Sequence, residues 1–305
     1  MKVAITGATG FVGRALVQRL NQQGDSLVLF SRDRARAERC FPRSAFPNLS
    51  IVGYEPTAAG DWQQAIAGCD GVVNLAGAPI AEGRWTTARK QEILDSRQLG
   101  TRRIVEAIAA ANPKPAVLVN SSAIGFYGPS ETATFTEASS AGQGFLAQVC
   151  QAWEAEAQAV TAQQTRLVIL RTGIVLGDGG ALGKMLPVFR AFAGGPLGTG
   201  QQWFSWIHLI DVVNLIERSL KDPSFSGVYN ATAPKPVRMG ELCQVLGSLL
   251  NRPSWLPVPA FALDLLLGEA AQVVLEGQCV LPDRAQQAGF QFDYGDLSAA
   301  LRAIV

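Results

Sequence analysis

The chain has 305 residues, 48% of them hydrophobic and 17% charged, with a formal net charge of +1. That size allows a large core in one or two domains, and the charge balance gives no electrostatic ground for a nucleic acid or an anionic membrane surface as partner. No apolar run reaches spanning length, since the richest, Phe261 to Leu275, is interrupted by Asp264 and Glu269.

Lys2 to Thr6 reads as a short, β-branched, buried strand, and Gly7-Ala8-Thr9-Gly10-Phe11-Val12-Gly13 follows at once. From Arg14 to Gln22 the apolar residues Ala15, Leu16, Val17 and Leu20 fall at helical spacing, and a second strand, Leu27 to Phe30, ends on Ser31-Arg32. Strand, glycine-rich turn, helix and strand in this order form the first unit of a dinucleotide-binding fold. Its glycines allow a sharp turn, a close backbone approach to a diphosphate and tight helix–strand packing, with the anion on free N–H groups at a helix N-terminus. An acidic residue at the end of the second strand would suit the 2′-hydroxyl of NAD. Ser31 and Arg32, with Arg34 and Arg36 close behind, suit the 2′-phosphate of NADP(H) instead.

Leu49 to Tyr54 is the third expected strand, and Asp61 is expected to cap a short helix ending near Gly68. Gly71 to Asn74 is a fourth strand running through Leu75 into Ala76-Gly77, small residues where a cofactor can pass. Thr86 to Ala111 reads as one long helix stopped by Asn112-Pro113. Ala116 to Asn120 is a fifth strand that delivers Ser121, Ser122 and then Tyr127-Gly128 to a second strand-end site. A helix over Gly142 to Gln163, a strand over Leu167 to Leu170 and a last sheet strand over Val228 to Ala231 complete the alternation. Met239 to Leu250, Ala262 to Gly277 and Asp296 to Ile304 read as helices, and Asp211 as the N-cap of a run from Val212 to Leu220. The alternation predicts an α/β, doubly wound parallel sheet of Rossmann type with a small, mostly helical C-terminal substrate lobe. The expected cofactor domain covers residues 1–177 with a returning segment near 203–235, and the lobe covers 178–202 and 236–305.

Thr6 to Gly13, Asn74 to Gly77, the Ser-Ser…Tyr-Gly stretch and Arg171 to Gly177 together resemble an extended short-chain dehydrogenase/reductase. Gly179-Gly180, Gly194-Gly195-Pro196, Trp206-Ile207-His208 with Asp211, Arg252-Pro253, Pro257-Val258-Pro259 and Leu267-Gly268-Glu269 narrow the likeness. Along essentially its whole length the chain is similar to the epimerase-like family described as nucleoside-diphosphate-sugar epimerases or cell-division-inhibitor homologues. The resemblance implies cofactor contacts from Gly7, Thr9, Gly10, Phe11, Val12, Gly13, Ser31, Arg32, Leu75, Ala76, Gly77 and Arg171, and catalytic roles for Ser122 and Tyr127. Enzymes of this type use a Tyr-x-x-x-Lys pair on the helix after the fifth strand. Here Phe145 or Leu146 takes the Tyr place and Val149 or Cys150 the Lys place, so neither a phenol nor an ammonium is supplied. An Asn expected ahead of Gly100-Thr101 is replaced by Arg97, and Ser122 competes with Ala123 for the family's serine position.

Tyr127 would need a cationic neighbour to move a proton at neutral pH, and Arg97 is a candidate for that neighbour or for an anchor of an anionic substrate. Glu137 is read as a cap-like acid rather than a catalytic one, and His208, the only histidine, as a structural residue. Five scattered cysteines without metal-site spacing point to reduced thiols in a cytoplasmic protein with no metal site, and a strand beginning at Lys2 to no leader. The expectation is therefore an NADP(H)-dependent oxidoreductase or epimerase-like enzyme with a non-standard proton relay. Its substrate would be a small carbonyl or nucleotide-sugar-like molecule, with homo-oligomerisation left open. The alternative is a non-catalytic NADP(H)-binding sensor or scaffold.

Overall fold

A strand covered on both faces has to be apolar at consecutive positions, and Val3-Ala4-Ile5 meets that requirement. In a computed structural model describing residues 1–305, this strand, β1 (Lys2–Thr6), lies inside a seven-stranded parallel sheet, third from one edge. The other strands are β2 (Ser26–Ser31), β3 (Leu49–Gly53), β4 (Gly71–Asn74), β5 (Val117–Ala123), β6 (Arg166–Thr172) and β7 (Gly227–Ala231). Their spatial order is β3-β2-β1-β4-β5-β6-β7, so the direction of winding reverses beside β1 and opens a crevice at its carboxyl end.

The helices are α1 (Phe11–Gln22), α2 (Arg34–Cys40), α3 (Thr87–Ala110), α4 (Phe145–Gln158), α5 (Gly180–Arg190), α6 (Leu209–Lys221), α7 (Met239–Leu250) and α8 (Ala260–Leu267), before shorter C-terminal pieces. Alternation along β1 sorts them into two layers. Val3 and Ile5 join Leu16, Val17 and Leu20 of α1 and Val212, Leu215 and Ile216 of α6. Ala4, from the opposite side of the pleat, joins Ile104, Val105 and Ile108 of α3 and Ala157 of α4. A further apolar cluster, with Leu182, Phe189, Trp206, Leu242, Leu246 and Leu301, packs α5 and α7 against the last helix. No helix is long and apolar enough to cross a membrane.

Several local expectations shift. Asp61 opens a 3-10 stretch, Asp61–Ile66, whose cap is Gly60. The expected helix over Ala262 to Gly277 is broken at Gly268, which adopts φ +59°. The helix expected from Gly142 starts only at Phe145, and its last turn tightens to a 3-10 stretch over Ala159–Gln163. Asp211 is not the cap of α6. His208 is, its Nδ1 accepting from Ile210 N at 3.2 Å. Asp211 is fully buried and instead accepts from Asp293 N at 2.8 Å and Tyr294 N at 3.1 Å, which ties α6 to the C-terminal segment.

The cap fixes the state of the imidazole: Nδ1 must be unprotonated to accept, so the ring is neutral. Burial lowers the His208 pKa, with Asp293 opposing it. A His with a depressed folded pKa gives stability that is present above its unfolded value of about 6.5 and is lost as pH falls through the folded value. His208→Asn keeps a cap without the titration. Thermal melts between pH 7.5 and 5.5 should therefore show the wild type losing more stability than His208→Asn; parallel losses would contradict the assignment.

Candidate functional site

The crevice is a cleft of about 340 Å³. One wall is the turn Gly7 to Gly13, with Phe11 and Val12; the others bring Leu75 and Gly77 from the end of β4, Ser121 to Ala123 from β5, and Arg97 and Trp153 from α3 and α4.

The turn is built by backbone contact. Gly7 has φ +67°, and a Cβ on it would lie 2.7 Å from the Leu75 carbonyl carbon. A Cβ on Gly13 would lie 2.8 Å from Ala8 Cα, so α1 can seat this close to the turn only with glycine there. Gly10 caps α1 with no side-chain hydrogen bond, leaving first-turn N–H groups of a 12-residue helix for a ligand. Thr6 fastens the neighbouring strand ends. Its Oγ1 donates to Asn74 Oδ1 at 2.7 Å and accepts from Leu75 N at 3.2 Å and Ala76 N at 3.3 Å. Asn74 Nδ2 donates onward to Asn120 Oδ1 at 2.7 Å and Thr101 Oγ1 at 3.0 Å. Thr9 is engaged through its carbonyl, which accepts from Arg14 Nε at 3.0 Å.

At the end of β2, Ser31 is buried and its Oγ donates to the Asp33 carbonyl at 2.9 Å. The Asp33 carboxylate is taken by its own helix, accepting from Arg36 N at 2.8 Å as cap of α2. Arg34 pairs with Glu38, whereas Arg32 is exposed and has no carboxylate partner. The strand end thus presents a guanidinium with no ion-pair partner, beside an Asp33 carboxylate turned to its own helix. Cradle, uncapped helix and guanidinium together fit a dinucleotide bearing an extra phosphate.

The second strand-end site differs from expectation. Arg171, expected at the cofactor, does not line the cleft: it is buried, its Nε donating to Glu154 Oε1 and its Nη2 to Oε2, each at 2.8 Å. Its Nη1 donates to Tyr127 Oη at 3.0 Å, and its guanidinium lies 3.3 Å from the Phe126 ring centroid. Tyr127 is correspondingly no free catalytic phenol, since it is buried, donates to Asn230 Oδ1 at 2.7 Å and does not line the cleft. Burial raises its pKa against the opposing pull of Arg171. Burial alone would lower the Arg171 pKa, but its bonds to Glu154 raise it. Glu137 caps no helix of its own segment; its Oε1 accepts from Asn230 N at 2.8 Å, and its Oε2 accepts at 3.3 Å from Arg284 N in the first turn of the short helix Asp283–Gln287, a cap-like contact from a distance.

Ser122 is the residue that joins this network to the cleft. It lines the cleft, and its Oγ donates to Glu154 Oε1 at 2.6 Å. Glu154 was not foreseen. Its signal was its place on the buried stripe Ala147, Cys150, Glu154, Ala157 of α4, where an acid at apolar spacing requires a buried partner. Of the residues at the Tyr-x-x-x-Lys places, Phe145 packs edge-on to Trp85 at 5.1 Å and the Cys150 thiol points at the Ala123 carbonyl, 3.7 Å away. Burial pushes the Cys150 pKa up to about 11, which leaves an unreactive thiol.

A sequence model of the NAD-dependent epimerase/dehydratase family matches residues 3–231, and one of a domain of unknown function matches residues 258–304. The chain is 51% identical over 308 residues to the chloroplastic homologue of epimerase family protein SDR39U1 from Arabidopsis thaliana, covering 100% of this chain and 87% of the relative. It is 38% identical over 306 residues to epimerase family protein YfhF of Bacillus subtilis, covering 100% of this chain and 98% of the relative. The crystal structure of human epimerase family protein SDR39U1 (isoform 2) with NADPH superposes with a TM-score of 0.89 at 35% identity, covering 100% of this chain and 99% of that one.

Breaking a buried pair from one side costs about 3–5 kcal/mol, because it leaves an uncompensated charge. Arg171→Met should lose that much in urea unfolding. Tyr127→Phe, which orphans one hydrogen-bonding site on each of Asn230 and Arg171, should lose about 1–3 kcal/mol. An unchanged midpoint for Arg171→Met would show that the network does not hold the fold.

Proposed function

The chain belongs to the NAD-dependent epimerase/dehydratase family, and on that premise we propose that it is an NADP(H)-dependent oxidoreductase or epimerase-like enzyme acting on a carbonyl or nucleotide-sugar-like substrate. The observation that carries the cofactor choice is Arg32: an exposed guanidinium just past the end of β2 that forms no ion pair, next to an Asp33 carboxylate that accepts from the first turn of its own helix. The glycine turn and the N-terminus of α1 take the diphosphate and Arg32 takes the 2′-phosphate, the one proton of Ser31 Oγ being already given to the Asp33 carbonyl. The bound nicotinamide supplies the hydride chemistry, so the protein has to orient the substrate and move one proton.

Ser122 and Glu154 make the proton relay in place of the missing tyrosine and lysine. Ser122 Oγ already gives its proton to Glu154 Oε1 in a 2.6 Å hydrogen bond, which leaves its lone pairs to accept from a substrate hydroxyl in the cleft. As the substrate oxygen loses its proton to Ser122, Ser122 passes its own to Glu154, and the reverse sequence protonates a carbonyl oxygen. Arg171 holds the Glu154 carboxylate from the far side in a bidentate clasp, a positioning role that fixes the acceptor oxygen toward Ser122. A second reading, a non-catalytic NADP(H)-binding sensor, is favoured by the apolar and thiol side chains at the Tyr and Lys places.

The cofactor assignment predicts that Arg32→Asp weakens NADPH binding about tenfold or more while changing NADH little, measured by nicotinamide fluorescence. Equal losses for both nucleotides would remove Arg32 from the site. The relay predicts that Ser122→Ala lowers NADPH oxidation about 10²-fold or more, with NADPH affinity kept, in a screen of carbonyl and nucleotide-sugar compounds. Full turnover in Ser122→Ala sinks the relay. No turnover with any compound, together with different oligomeric states for the NADPH- and NADP⁺-bound forms, would favour the sensor.

A further inference from the structure

Arg97 is the one charged side chain lining the cleft, and it has no acidic partner. Its Nη1 donates to the Ala78 carbonyl at 3.0 Å and the Ile93 carbonyl at 3.1 Å, while Nε and Nη2 donate to nothing in the protein. Its guanidinium stands 5.1 Å from the Trp153 ring centroid and closes against Gly77, where a Cβ would lie 2.9 Å from Arg97 Cζ. Donors are in surplus around it. Of four buried side-chain polar atoms without a partner, two, Trp153 Nε1 and Arg89 Nε, belong to residues beside Arg97. Its charged or ionisable neighbours are the Cys150 thiol and Arg89, whose own charge is paired with Glu92 at 2.6 Å, and neither balances Arg97.

A cation taken out of water is costly without an anion, and two neutral carbonyls compensate only in part. Burial lowers the Arg97 pKa from its ordinary value, but a guanidinium stays protonated throughout the physiological range. The site therefore stores positive potential toward the cleft. The cofactor's diphosphate is already provided for on the other side of the sheet, where α1 packs with α6; Arg97 extends from α3, in the opposite layer, toward the ends of β4 and β5.

We propose that Arg97 anchors an oxyanion of the substrate, a carboxylate or a phosphate, on the α3 side of the cleft beside Ser122. The inference rests on the cofactor reading above and adds the substrate class: the molecule presented to Ser122 is anionic, held by the Nε–Nη2 edge of the guanidinium. A planar fork gives bidentate geometry, which makes Arg97 a specificity-determining residue as well as a counter-charge.

The test uses the full chain loaded with NADPH, with oxalate and inorganic phosphate as anionic probes and oxamide as the uncharged counterpart of oxalate. Nicotinamide fluorescence should respond saturably to at least one anion and not to oxamide. The response should be at least about tenfold weaker in Arg97→Gln, as expected for one lost charge-assisted bond. Arg97→Lys, which retains the charge without the fork, should fall between the two, and both variants should bind NADPH within about twofold of wild type. The oxalate and phosphate arms separate a carboxylate substrate from a phosphate one. Loss of NADPH binding in a folded Arg97→Gln or Arg97→Lys would assign the guanidinium to the cofactor and overturn the inference. So would anion binding undiminished in Arg97→Gln, or no anion response in NADPH-loaded wild type. Failure of the wild type to bind NADPH would overturn the cofactor reading and this inference with it.

Discussion

A close backbone approach in the cleft is the contact on which the rest depends. Gly7, in a left-handed conformation, lies against the Leu75 carbonyl, and Gly13 lies against Ala8, so the start of α1 sits directly over the end of β1. No side chain intervenes, and no side chain caps the helix. The consequence is a concave surface of N–H groups at the point where the strand order reverses, the one place in a doubly wound sheet where a diphosphate is met by both geometry and dipole. Thr6 secures the same point from below by binding Asn74 and the amides that follow it, which keeps Leu75 and Gly77 at the height of the turn.

Around that anchor the charged groups divide into satisfied and unsatisfied sets, and the division tells structure from function. Arg171, Glu154, Tyr127 and Asn230 form a closed network below the cleft, with the hydroxyl and guanidinium groups that sequence reading assigns to chemistry all engaged. Arg32 and Arg97 are cations that form no ion pair, one at the outer end of β2 and one inside the cleft. Ser122 lies on the border, bonded to the network and open to the cleft, the position the proposed proton relay uses.

Much of this was legible in the sequence because it is local. The turn from Gly7 to Gly13 follows from sterics within seven residues, and Ser31-Arg32 follows from where an apolar run stops. The inner strands were legible because burial on both faces demands uninterrupted apolar runs. What failed was decided by partners far away in the chain. Register places Ser122 opposite Arg171 on adjacent strands, but only the packing of α4 brings in Glu154, and only β7 brings Asn230 to Tyr127. A polar residue at a strand end reads as a site residue until its partner is known. Asp211 and His208 exchanged roles for the same reason: an acid before an apolar helix reads as a cap, yet it is drawn to the amides of Asp293 and Tyr294 about eighty residues on.

The central claim is that this cleft is built for a dinucleotide carrying a 2′-phosphate. Titration of the wild-type protein with NADPH and NADH at one fixed ionic strength, read by calorimetry, tests it most directly. The account predicts one site per chain and NADPH tighter than NADH by about tenfold or more, the size expected of one charge-assisted phosphate contact. Equal affinities, or heat of binding for neither nucleotide, would contradict it.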